Sequence, residues 1–124
     1  MNPAIEQNDN MKQEVIFLSE DLELVGHLYR PDDYQPERRY PAIVVSHPFT
    51  GVKEQVAGRY AERLAQDGYL ALAFDTAYQG ESEGLPRHLE TPHSRAEGIK
   101  SAVSYLSNLP DVDPERIGAL GIAA

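Results

Sequence analysis

Apolar and polar positions along this chain follow two different rules, and the change comes near residue 41. Residues 1–12 are mostly polar and read as a tail. EVIFL (14–18) predicts a short strand, Ser19, Glu20 and Asp21 a turn, and LELVGHLYR (22–30) a second strand antiparallel to the first. In that second strand Leu22, Leu24 and Leu28 share one face, while Glu23, Val25, His27 and Tyr29 share the other, which the alternation marks as wet. PDDYQPERRYP (31–41), with three prolines and five charges, is loop. After it come continuous apolar runs, as expected for parallel strands covered on both faces: AIVVS (42–46) and LALAF (70–74).

Between those runs, Val56, Ala57, Tyr60, Ala61, Leu64 and Ala65 recur at helical spacing and predict a helix over 54–67, with Gly68 as its cap. A Gly-rich loop runs from Asp75 to Gly84. A second helix is expected to start near Thr91 or Ser94. Pro92 suits a first helical position, and Ser94 with Glu97 has capping-box spacing. Ala96, Ile99, Val103 and Leu106 form its apolar face, and Asn108–Pro110 stops it. DVDPE then reads as a turn and RIGALGIAA (116–124) as a third buried strand. Two antiparallel strands followed by strand–helix–strand–helix–strand define an α/β architecture.

Composition narrows the function classes. At 124 residues the chain suffices for one domain, and 11 Lys plus Arg against 20 Asp plus Glu give a net charge of −9. No basic stripe exists to neutralise a phosphate backbone, so nucleic acid is not an expected partner, nor is an anionic membrane surface. No stretch approaches the roughly 18 apolar residues of a membrane helix. With no cysteine, disulfides, Cys-ligated zinc and thiol nucleophiles are excluded. MNPAIEQNDN lacks the basic and apolar regions of a secretory signal, which makes cytoplasmic the expected location.

Ligands of open α/β sheets bind beyond the carboxyl ends of the strands, so the loops after Ser46, Phe74 and Ile122 hold the candidate chemistry. SHPFTGVKEQ carries neither G-x-G-x-x-G nor G-x-x-x-x-G-K-[ST], which argues against a nucleotide site. Three ordered motifs instead resemble the α/β-hydrolase superfamily: SHPFTG (46–51), DTAYQGES (75–82) and DPERIGALGIAA (113–124). They are similar in turn to the His-Gly oxyanion loop, with Pro48 where Gly is usual, to D-x-R-G-x-G-x-S, and to the segment leading into the G-x-S-x-G nucleophile elbow. Within the superfamily the resemblance is to dienelactone-hydrolase-like and acyl-peptidase-like proteins. It covers residues 14–124 and only the amino-terminal part of the family's domain.

The resemblance implies a serine-type hydrolase of ester, lactone or peptide bonds, acting on a small-molecule or peptide acyl substrate without cofactor or metal. It puts Phe49 at the oxyanion position through its main-chain N–H. His47, Asp75, Gly80 and Ser82 become structural loop residues. His88 and His93, five apart across a loop, lack the carboxylate a metal site would need. Aligning the elbow on Gly121 sets the nucleophile position at Ala123, whose methyl group cannot attack a carbonyl, and gives Ala124 the second oxyanion N–H. A register shifted to a residue 125 would break the glycine spacing. In this fold the acid and the histidine follow the nucleophile, beyond residue 124. Residues 13–124 are therefore expected to be a partial domain ending at the elbow, inactive alone, with an exposed last strand open to self-association. A non-catalytic binding module of the same descent is the other reading.

Overall fold

The computed structural model describes residues 12–47, 56–89 and 91–121. The strands are β1 (Lys12–Ser19), β2 (Leu22–Tyr29), β3 (Tyr40–Ser46), β4 (Leu70–Phe74) and β5 (Val112–Gly121); the helices are α1 (Val56–Gln66) and α2 (Pro92–Ser107). One five-stranded sheet has the order β1-β2-β4-β3-β5. β1 pairs antiparallel with β2 and β2 antiparallel with β4, while β4, β3 and β5 run parallel.

That order decides where the helices lie. The β3-to-β4 crossover and the β4-to-β5 crossover step along the sheet in opposite directions. Because each is right-handed, α1 and α2 fall on opposite faces. The two apolar clusters show it. Ala57, Ala61 and Ala65 of α1 pack on Tyr29, Val45, Ala71 and Ala73. Ala102 and Leu106 of α2 pack with Phe17, Leu24, Val44, Leu72 and Phe74. Strand β4 alternates accordingly, with Leu70, Leu72 and Phe74 toward α2 and Ala71 and Ala73 toward α1.

Several boundaries differ from the pattern reading. The wet face expected on β2 is dry, because Val25, His27 and Tyr29 are all buried. β2 is an inner strand, and the α1 layer covers the face that carries Tyr29. The exposed large apolar side chains of the described strands are instead Ile16 and Leu18 on β1, at 54% and 64% exposure. The N-cap of α2 is Thr91, whose hydroxyl accepts the Ser94 N–H at 3.0 Å; Ser94 is the donor there, not the cap. Glu97 makes no capping box with it and pairs with Lys100 at 3.3 Å.

The expected DVDPE turn lies inside β5. Pairing jumps from Tyr40↔Val112 to Ala42↔Ile117, a bulge that absorbs Asp113–Glu115. Asp113 organises it, accepting the Glu115 N–H at 3.0 Å and the Arg116 Nε–H at 2.9 Å. Those bonds, the Glu115 N–H first, hold its carboxyl below the ordinary aspartate value. Only Val112 of β5 is buried together with its neighbour Asp111; from Asp113 onward the strand is half-buried or exposed. Among the described residues β5 is thus the sheet edge opposite β1.

Candidate functional site

Three parallel strands end level with one another: Ser46 of β3 lies opposite both Phe74 of β4 and Gly121 of β5. The chain leaves β3 toward α1 on one face and leaves β4 toward α2 on the other. At such a divergence between adjacent parallel strands, α/β sheets bind ligands beyond the strand ends. Here His47, the first residue after β3, and Asp75–Thr76, the first after β4, stand on the two sides of the divergence.

A compact polar knot joins the two strand ends. The Thr76 N–H donates to His47 Nε2 at 3.1 Å, and Thr76 Oγ1 lies 2.5 Å from the same nitrogen. His47 is 2% exposed, so its ring is a buried strut between the two loops. Arg95, from the first turn of α2, donates to the His47 carbonyl at 2.9 Å and to Ser46 Oγ at 3.3 Å. A cation there opposes the helix dipole at a cost of about 0.3–1 kcal/mol, which these contacts offset. Neither Thr76 nor Arg95 is singled out by the sequence motifs. The signal for Arg95 was present, as a base in a helix first turn that holds no acid. Thr76 carried none.

The second loop, 75–89, is fixed by its own bonds. Asp75 is fully buried; its N–H donates to the Val25 carbonyl at 2.9 Å and its Oδ2 accepts the Glu81 N–H at 2.9 Å. Gly80 has φ +51, and a Cβ on it would collide with the Asp75 carboxylate. Ser82, 1% exposed, donates to the Asp75 carbonyl at 2.6 Å and accepts the Val25 N–H at 2.9 Å. Its hydroxyl is thereby committed on both sides and unsuited to attack a substrate. Arg87 gathers the carbonyls of Gly80, Ser82 and Gly84 at 2.7, 2.7 and 3.1 Å. Tyr78 and His88 are held at φ 72 and 64, conformations costing about 1–2 kcal/mol each for such residues. The bonds from Tyr78 N–H to Glu83 and from His88 N–H to Tyr78, both 2.8 Å, maintain them.

Of the residues singled out by sequence, His47, Asp75, Gly80 and Ser82 therefore meet at this edge as loop framework. Phe49, Ala123 and Ala124 lie outside the described residues. His88 and His93 do not converge: His88 Nδ1 is 3.4 Å from Gln79 Oε1, and His93 Nε2 is 2.8 Å from Glu20 Oε2. Among the described residues no group of three His, Asp or Glu could hold a metal ion, and no helix is long and apolar enough to cross a membrane.

The His93–Glu20 pair ties the start of α2 to the β1–β2 turn. Its hydrogen bond, and then the charge of Glu20, raise the His93 pKa above 6.5. A raised histidine pKa adds stability that is fully present below the unfolded value and lost as pH rises through the folded one. An NMR titration is expected to place His93 above 6.5, and Glu20→Gln to return it toward that value. An unchanged titration in the variant would show the pair unformed in solution.

Residues 24–123 match the dienelactone hydrolase family. The uncharacterized protein YcjY of Escherichia coli (strain K12) is 50% identical over 103 residues, covering 83% of this chain and 34% of that protein. Thiohydrolase aneE of Aspergillus aculeatus is 40% identical over 111 residues, covering 89% and 33%. The crystal structure of hypothetical protein PA2218 from Pseudomonas aeruginosa superposes with a TM-score of 0.82 at 41% identity, covering 87% of this chain and 34% of that one. The chain thus spans about a third of the length of the relatives it matches.

Proposed function

The chain belongs to the dienelactone hydrolase family, and from that premise we propose that it forms the amino-terminal part of a serine-type acyl hydrolase acting on ester, lactone or thioester bonds. The thioester enters from the likeness to a thiohydrolase. The observation that carries the reading is the level ending of β3, β4 and β5 at one sheet edge, where His47 is bonded to Thr76 and the 75–89 loop is held by the buried Asp75.

The chemistry this edge would serve is acyl transfer. A hydroxyl adds to the carbonyl carbon, and two main-chain N–H groups hold the resulting oxyanion. Collapse of the adduct expels the alcohol or thiol, and water then releases the acid from the acyl-enzyme. In the reading aligned on Gly121 the oxyanion donors are Phe49 and Ala124, and position 123 belongs to the nucleophile. This chain has Ala123 there, and an alanine supplies no attacking oxygen. In the register shifted by two positions, the nucleophile falls at 125. Either way, nucleophile, acid and histidine do not come from residues 1–124, and the relatives' further length is where we assign the acid and the histidine.

Purified 1–124 is accordingly expected to release no p-nitrophenol from p-nitrophenyl butyrate and no thiol from a butyryl thioester. The product of the reading frame extended past codon 124 is expected to turn over at least one of them. A stoichiometric burst from 1–124, or an extended product that folds yet transfers no acyl group, overturns the proposal.

A further inference from the structure

We propose that Arg95 is the positioning residue of this edge, fixing Ser46 and His47 at the end of β3 and, through the His47 ring, Thr76 at the start of the next loop. This rests on the hydrolase reading, because the chain leaving β3 is what that reading assigns to the oxyanion side. The geometry supports it in three ways. Arg95 Nη1 donates to the carbonyl of His47 at 2.9 Å, which ties the first residue after β3 to α2. The same nitrogen reaches Ser46 Oγ at 3.3 Å, so the strand end and the first loop residue are held together. Nη2 packs against the His47 ring 3.5 Å from Nδ1; because the other ring nitrogen accepts the Thr76 N–H, Nδ1 carries the proton and this is a packing contact, not a hydrogen bond.

One guanidinium therefore touches a hydroxyl, a carbonyl and a ring. The rigid fork of arginine allows these contacts at once, and the single ammonium of lysine does not. The ring then carries the restraint to Thr76 at the end of the neighbouring strand, 29 residues from His47 in the chain. Arg95 is anchored from below, since it lies in the first turn of α2 and its N–H donates to the Thr91 carbonyl at 3.1 Å. A helix packed on one face of the sheet thus holds the end of a strand whose following helix packs on the other.

The test is NMR of the full 124-residue chain and of its Arg95→Met and Arg95→Lys variants. In the parent, Nε2 of His47 is expected as the unprotonated ring nitrogen, and the Thr76 amide as slow to exchange with solvent. In Arg95→Met, Thr76 exchange is expected to accelerate at least tenfold and the His47 ring signals to lose that single tautomer, while the amides of Val44 and Leu72 keep their protection. Arg95→Lys is expected to fall between the two. If Arg95→Met does not fold, the lysine variant alone decides, by a Thr76 amide that exchanges faster over an unchanged core. A folded variant with parental Thr76 exchange and His47 signals overturns the proposal, as does an equal loss of protection across the whole sheet. Ester turnover is not read here, so a failure of the hydrolase reading leaves this result standing and remains separately visible.

Discussion

Phe74→Ala is expected to lower the unfolding free energy by about 3–5 kcal/mol, the range for emptying a phenylalanine site in a packed core. Phe74 is nearly fully buried at the end of β4, an inner strand, and its ring meets Phe17 edge-to-face at a centroid distance of 5.5 Å. On its other side is Gly98 of α2, where a Cβ would come within 3.3 Å of the ring. The helix backbone is therefore seated directly over the phenyl group, and Gly98 has no side chain to fill the space. Urea unfolding should show the midpoint falling with an unchanged slope. A loss under about 1 kcal/mol would mean that α2 settles onto the sheet, contrary to the close packing described.

Ser82→Ala is expected to cost about 2–4 kcal/mol, large for the removal of one oxygen. Its hydroxyl serves two buried main-chain groups, the Val25 N–H and the Asp75 carbonyl. Each buried polar group left without a partner costs about 1–3 kcal/mol. Because Val25 lies in β2 and Asp75 follows β4, the same change loosens the 75–89 loop from the sheet. The measurement is urea unfolding together with exchange of the Val25 amide, which should become faster in the variant than those of its strand neighbours. A loss below about 0.5 kcal/mol, with Val25 still protected, would show that water or the main chain takes over the hydroxyl's role.

What the sequence disclosed follows from how local each determinant is. The run Leu70–Phe74 was legible as a strand end to end, because a strand buried on both faces writes its burial into its own composition. The pattern 22–30 was misleading for the opposite reason. Alternation shows which residues share a face, and whether that face is covered depends on distant elements: Tyr29 packs with a helix some thirty residues later. Similarly, Asp113-Pro114 carries turn chemistry, and a strand can absorb it as a bulge only because Tyr40 and Ala42 supply a partner. At the candidate site, Asp75, Gly80 and Ser82 were visible because they fall within one short loop with a family-like spacing. The knot of His47, Thr76 and Arg95 joins three segments through strand order, and nothing in the spacing of those residues announces it.

The alternation of leucine and alanine along β4 has a consequence for how this protein can change over time. Toward α2 the strand presents Leu70, Leu72 and Phe74, and toward α1 only Ala71 and Ala73, facing Ala57, Ala61 and Ala65. On the first side the danger is shrinkage, since a truncated side chain leaves a void. On the second it is growth, since a helix seated on alanines leaves no room for an added methyl without moving its backbone. The two surfaces of one five-residue strand are thus under opposite volume constraints, a floor on one and a ceiling on the other. Neighbouring positions can drift only in opposite senses.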